Sequence, residues 1–341
     1  MATDQATERP GMMGWGYESH TQQERVRLEQ QSVQQMVAAM PACQFERTAR
    51  RVTGSAILDK VYELQKADGI EEGFSFRYLE IAIWKSPLKW LAQTIGSCVA
   101  SGAMRALFGR TMAEIFLFGQ PEEFFGTDSP DKNSANSICC FAPYHYGMGR
   151  QAGGMDRNGD GSFCGAQIQA LMAGFLPCWA NGLNRYTDQF PEPLNSESIY
   201  RKWGDASYRD VRKQFEPIAA DFKVTESVQV QSFEKSKEFL TQHFKPMMIC
   251  SNWGFAPKSQ ISGTPFWIYG RSGSWPHNMT RYGCLKIKGN WFTETKNSWG
   301  MTAHKNGDYF LVSAEEDERW LRDAEARTIG ELTLPESMPQ V

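Results

Sequence analysis

Residues 98–108 read CVASGAMRALF, and this run constrains the fold more than any other stretch of the chain. Gly96 and Ser97 break the chain just before it, and the small and apolar residues that follow predict a tightly packed helix whose slim faces let neighbouring elements approach closely. Cys98 is then the first residue of that helix. Backbone N–H groups and the positive end of the helix dipole gather at such an end, and both favour thiolate over thiol. A buried, inert cysteine is the competing reading, because free cysteine is among the most buried residue types. A reactive role requires a base elsewhere in the chain.

The elements around the run predict an α+β protein. Residues 21–40 carry Val26, Leu28, Val33, Met36 and Val37 near helical spacing on a Gln/Glu-rich background, and 55–66 forms a second candidate helix. The stretch FSFRYLEIAIW (74–84) reads as a strand leading toward the cysteine helix. Glycine, proline, asparagine and aspartate dominate 109–165, which predicts a loop-rich insertion. CGAQIQALMAGFLP (164–177) predicts a short helix closed by Gly174 and Pro177, VQVQSF (228–233) a strand, EKSKEFLTQHF (234–244) a charged helix and PMMICSNWGF (246–255) a buried strand. From about 264 to 312 the chain is aromatic and β-rich, with hairpin-like punctuation at KGN and KNGD. Helices early and strands late is the α+β order. The expected organisation is an N-terminal arm and helices over 1–75, a main domain over 76–315 and a C-terminal tail over 316–341.

Several classes are disfavoured by composition. The 341 residues are 41% hydrophobic, with a formal charge of −3, so the chain can bury a sizeable core but carries no electrostatic footprint for nucleic acid or a membrane surface. No apolar window reaches spanning length and the N-terminus lacks a secretory pattern, which predicts a cytoplasmic protein. The eight cysteines, at 43, 98, 139, 140, 164, 178, 250 and 284, lack the paired spacings of a disulfide framework, and a reducing compartment with no disulfides is expected. Cys139, Cys140 and His145 offer three zinc ligands at best, with no fourth. Asp156, Asn158, Asp160 and Gly161 stand at the offsets of a calcium loop. Gln167 occupies the position that needs a bidentate glutamate, so an Asx-rich turn is the preferred reading and no metal or other cofactor is expected.

The missing base lies in the late strands. His277 opens one strand-like run and Asn297 sits in a second, twenty residues later, followed by Ser298 and Trp299. A thiol nucleophile needs an imidazole to take its proton, and the imidazole needs a third group to hold its ring. An amide oxygen does that without adding charge, and a neighbouring indole shields the bond from water. Adjacent strands would bring the two together.

With Gln93, Gly96-Ser97-Cys98, His277 six residues before Gly283, and Asn297-Ser298-Trp299-Gly300 in this order, the chain resembles the papain-like cysteine peptidase family over roughly 80–312. The segment around Gly165, the helix and strand before His277, and the NGDYFLV strand extend the resemblance. It implies a two-lobed fold, one lobe helical and one β-barrel-like, with Cys98 facing His277 across a cleft walled in part by Gly165. It also implies acyl transfer on a peptide or protein substrate: Cys98 as nucleophile, His277 as acid and base, Asn297 orienting it, Trp299 covering that contact, and Gln93 with the Cys98 N–H holding the oxyanion.

Four departures accompany the resemblance. Gln93 lies five residues before Cys98, one fewer than the family's spacing. Val99 replaces an aromatic residue, MTAHKNGD replaces the second Trp-Gly, and Ile95 stands where a cysteine would pair with Cys164. The shifted Gln93 keeps open a second expectation: a papain-like building block of a large assembly such as a phage virion, joined to other subunits through its N-terminal arm, with little or no catalysis. His20, His145, His243 and His304 are expected to be surface or satisfied structural histidines.

Overall fold

The computed structural model describes residues 55–88, 92–93, 95–118, 141–157, 159–176 and 197–333. The predicted helix over 21–40, the N-terminal arm, Cys43, Cys139, Cys140, Asn158, Pro177, Cys178 and the tail beyond 333 lie outside these residues.

Helix α1 (Ser55–Ala67) falls where periodicity places it, and strand β1 (Ile70–Ser75) follows after a turn at Gly69, whose φ is +82°. The strand expected over 74–84 is instead helix α2 (Phe76–Trp84) beyond Ser75. Ser75 caps it by accepting the Arg77 N–H at 3.1 Å, and Lys85 ends it in the left-handed region at φ 68°. A short apolar run does not distinguish strand from helix; the capping serine decides it here.

Helix α3 (Cys98–Met112) is buried along its whole length and continues into a π turn at Ala113–Leu117. It lies against the long strand β4 (Trp267–Ile287) through a stripe of small residues. A Cβ on Gly102 would collide with the Asn278 Oδ1 atom, and one on Gly109 would stand 2.9 Å from the Tyr282 ring. The Thr280 hydroxyl donates to the Gly102 carbonyl at 3.1 Å. Helix and strand therefore advance together, Gly102 opposite Asn278 and Gly109 opposite Tyr282.

On its other side α3 meets α4 (Ala142–Ala152) and α5 (Cys164–Ala173), and α4 packs in turn on α6 (Glu197–Gly204). The loop-rich insertion expected over 109–165 is thus helical over 109–112 and 142–152. Gly147 and Gly149 are packing contacts, since an added Cβ would strike the Trp203 carbonyl and the Gln167 amide, whereas Gly154 and Gly161 have the positive φ of turns. Helix α7 (Arg209–Ala219) and the short strand β2 (Lys223–Val224) follow, and VQVQSF forms only an isolated bridge, Gln229 to Arg327, before α8 (Phe233–Thr241).

The sheet supplies the second half of the core. Strand β3 (Met247–Gln260) pairs antiparallel with β4, placing Ser251 opposite His277. Lys288 and Gly289, both at positive φ, turn β4 into β5 (Asn290–Lys296), as the KGN punctuation predicts. Strand β6 (Tyr309–Ser313) then pairs antiparallel with β5 and parallel with the start of β4 at Ile268 and Tyr269. Because β4 meets β5 near its end and β6 near its start, the three strands form a closed circuit and the sheet curls into a half-barrel. Helix α9 (Ala314–Asp323) covers it, with the buried pair Arg281–Asp317 beneath and Trp320 donating to the Ser251 hydroxyl at 2.8 Å. Strand β7 (Glu325–Thr328) extends the β3 edge, and β8 (Leu332–Thr333) pairs with β2. The α+β class is therefore observed directly. Among the described residues no helix is long and apolar enough to cross a membrane.

The close approach at Gly102 leaves no room for a methyl group. Gly102→Ala should destabilise the protein by about 1–3 kcal/mol or more, read as a lower denaturant midpoint at unchanged slope. An unchanged midpoint would contradict the contact of α3 with Asn278.

Candidate active site

His277 sits in β4 and Asn297 immediately after β5, the strand beside it, so adjacent strands do join the two side chains. His277 Nε2 lies 2.7 Å from Asn297 Oδ1. The same oxygen accepts the Ser298 backbone N–H at 2.7 Å. A backbone N–H is always a donor, so this contact fixes which end of the amide is oxygen, and His277 must carry its proton on Nε2. The Nδ1 atom is then a bare acceptor, and it has no hydrogen-bond partner in this arrangement. The Trp299 ring covers the imidazole at 4.8 Å between centroids, tilted by 33°, with Trp275 packed 4.8 Å beyond.

Cys98 begins α3, as the sequence predicts. Stepping back one turn from Gly102 retraces β4 from Asn278 toward His277, because helix and strand run together. Arg105, on the same i, i+4, i+7 stripe as Cys98 and Gly102, donates from its Nη1 to the Asn297 carbonyl. The stripe therefore addresses Asn297 and the strand segment holding His277. Cys98, His277 and Asn297 have no exposed surface.

Gln93 is anchored on both sides of its amide. The Ser298 hydroxyl donates to its Oε1, its Nε2 donates to the Ile95 carbonyl at 3.2 Å, and its backbone N–H bonds the Ser298 carbonyl at 2.8 Å. Ile95 also receives the Ser97 N–H at 2.7 Å, so a tight bend occupies the loop shortened before Cys98. That bend and the serine hold the amide in the loop that leads into the cysteine helix.

Burial governs the electrostatics. His277 is pushed down to about 4, first by burial and further by the Arg105 charge, with the Asn297 bond opposing. At neutral pH the ring is an uncharged base. Burial likewise raises the Cys164 and Cys250 thiols. These two free thiols flank the Asn278 amide, whose Nδ2 is 3.8 Å from Cys164 Sγ and 3.1 Å from Cys250 Sγ, so a second sulfur does stand beside Cys164.

Other candidates are used differently. Gly165 is buried as the second residue of α5 and shows no open face. Asp156 receives Arg209 through two bonds, at 2.6 and 2.7 Å, and lies 3.4 Å from Arg212, while Asp160 bonds Arg201 at 3.2 Å. Arginines thus take the carboxylates of the calcium-loop candidate. Among the described residues no three metal-binding side chains cluster. Helix α4 precedes that loop.

Two participants were not legible in the sequence. Arg105 lay inside an apolar-looking helix, where a buried guanidinium reaching a carbonyl on another element leaves no local pattern. His304, expected to be a surface or satisfied structural histidine, stands 3.0 Å by its Nε2 from Asn297 Nδ2. Its position in MTAHKNGD, within the departure after NSWG, was the available signal.

The solved structures this chain resembles are papain-like cysteine proteases. Xylellain, a cysteine protease from Xylella fastidiosa, is 15% identical, with 85% of this chain and 94% of that one covered at a TM-score of 0.47. The proform of the ragweed pollen allergen Amb a 11 is 15% identical over 80% of this chain and 61% of its own, at 0.43. Digestive procathepsin L2 from Tenebrio molitor larval midgut is 11% identical over 76% and 67%, at 0.45. Likeness at this level assigns no residue a role. No family model and no curated protein matches the chain.

Three histidines are held neutral by burial: His145 at about 3, His277 at about 4 and His304 at about 4. The folded protein therefore binds fewer protons than the unfolded chain below the ordinary histidine value. Their stabilising contribution is complete above about pH 6.5 and is lost as pH falls toward 4. For His277 the loss is on the order of 3 kcal/mol. Thermal unfolding should show the melting temperature falling across that window, with a flatter slope in His277→Gln.

Proposed function

We propose that the protein is a papain-like thiol hydrolase that cleaves peptide or related amide bonds through Cys98, His277 and Asn297. The observation that carries this reading is the tautomer of His277: Asn297 holds the proton on Nε2, which leaves a bare, buried Nδ1 on the strand segment addressed by the first turn of α3.

The chemistry follows from that arrangement. As Cys98 sulfur attacks a carbonyl carbon, its proton passes to His277 Nδ1. The resulting imidazolium is stabilised by its Nε2–H bond to Asn297 and delivers the proton to the departing amine as the C–N bond breaks. Water then attacks the thioester with His277 as base, and Cys98 leaves as thiol. The oxyanion is held by the Cys98 backbone N–H at the start of α3 and by the Gln93 amide fixed through Ser298. Trp299 keeps water from the His277–Asn297 bond.

One observation favours a second reading. Cys98 and His277 are fully buried, and the cavity of about 930 Å³ between α1, β1 and α8 lies elsewhere, lined by Tyr62, Lys66, Glu72 and Trp291 among others. A papain-like structural component that keeps its thiol covered would look the same.

Iodoacetamide labelling at neutral pH separates the two. The hydrolase reading expects Cys98 to alkylate in the folded protein ahead of Cys164, Cys250 and Cys284, with labelling rate and any amide or ester turnover falling about 10²–10⁴-fold in His277→Ala. Turnover should vanish in Cys98→Ala. If Cys98 reacts only after unfolding, the structural-component reading stands.

A further inference from the structure

We infer that His304 is a positioning residue that acts on His277 through the Asn297 amide, an assignment that rests on the hydrolase reading above. The inference begins with the donors around one side chain. Asn297 Oδ1 already accepts two hydrogen bonds, from His277 Nε2 and the Ser298 N–H, both at 2.7 Å. Its NH₂ group therefore points the other way, toward His304 Nε2 at 3.0 Å. An amide nitrogen only donates, so that ring nitrogen must be unprotonated and His304 must be neutral, with its proton on Nδ1.

The surroundings are built to hold it there. The His304 backbone exchanges hydrogen bonds with Gly307 at 2.9 and 3.0 Å, and its ring is boxed by Phe310 at 4.8 Å, Tyr269 of β4 at 5.2 Å and Trp299 at 6.5 Å. The charged and titratable groups that bear on it are few. Asp308 favours its protonated form but is itself 3.6 Å from the Lys296 ammonium, Tyr269 contributes its ring, and His277 opposes protonation. Arg105 holds the Asn297 carbonyl from α3. Unlike His277, His304 keeps some exposed surface.

Protonation of His304 breaks the relay. An Nε2–H would then face the amide NH₂, two donors at 3.0 Å, and a half-turn of the amide is the available relief. That half-turn sets the NH₂ against both the Ser298 N–H and His277 Nε2–H, so the His277 proton must move to Nδ1. The bare nitrogen that takes the thiol proton is lost. No bond between heavy atoms changes: His304 Nε2 gains one proton from solvent, and on His277 one proton leaves Nε2 as one is taken up at Nδ1.

The test uses the full-length protein with His304→Gln, which keeps an acceptor that does not titrate, and His304→Leu, which has none. Two readouts are followed: the downfield His277 Nε2–H proton resonance at pH 7, and the pH profile of Cys98 alkylation by iodoacetamide. His304→Leu should shift or broaden the resonance and slow alkylation roughly 10- to 10²-fold. His304→Gln should preserve both at pH 7, while its alkylation rate falls toward acid pH with one proton rather than two. Should His304→Leu fail to fold, the acid limb of His304→Gln decides. An unmoved resonance in His304→Leu, or an acid limb in His304→Gln identical to the parent's, overturns the inference. If Cys98 alkylates in none of the proteins, the hydrolase reading fails, and the resonance alone still tests whether His304 positions His277.

Discussion

The contact between α3 and β4 is the constraint on which the rest of the structure depends. A helix can lie this close to a strand only where it presents no side chain, and Gly102 and Gly109 supply that at Asn278 and Tyr282. Because the two glycines are spaced along the same stripe as Cys98 and Arg105, the packing that fixes the core also fixes where the first turn of the helix arrives. The site is thus set by register as much as by any residue of its own. Shifting the helix by one residue would take Gly102 off Asn278, and Arg105 would lose the Asn297 carbonyl.

A second constraint comes from the sheet. Strand β4 has partners on both edges and must bend to meet β5 at one end and β6 at the other. The bend carries the end of β5 and the loop after it over the strand at His277. Asn297 leaves β5 bonded through its N–H to the Asp308 carbonyl at 2.8 Å and through its own carbonyl to Arg105. Its backbone is therefore held by the half-barrel on one side and the helical layer on the other, which leaves its amide only rotation to decide, and Ser298 and His304 decide that.

Much of this was legible in the sequence, for identifiable reasons. The cysteine helix announced itself because glycine and serine precede a run with no polar face. The β4–β5 turn was readable because Lys288-Gly289-Asn290 permits positive φ, and the pairing of His277 with Asn297 followed from putting two late strands side by side. The failures are equally physical. Phe76–Trp84 looked like a strand because its apolar residues run together, and only the Ser75 cap distinguishes it. Gly147 and Gly149 looked like turn residues, yet they are glycines because Trp203 and Gln167 press on the helix that carries them. Long-range partners such as Arg105 and His304 leave no local period to find.

The electrostatic design of the site follows from what is buried beside it. Lys296, Arg105 and Arg281 place positive charge inside the sheet and helix layers, and Glu80, Asp308 and Asp317 answer it; Lys296 stands 3.4 Å from Glu80 and 3.6 Å from Asp308. These pairs engage the buried carboxylates, and among the described residues none bears on His277. A carboxylate there would draw a second proton onto the ring and fill Nδ1. An amide offers an acceptor without charge, and Arg105 adds a repulsion that an imidazolium must overcome. The ring therefore rests neutral at ordinary pH, and on the proposed hydrolase reading it would become charged only while it holds a proton taken from the thiol. Asn297 rather than an aspartate is the group that this distribution of buried charge requires.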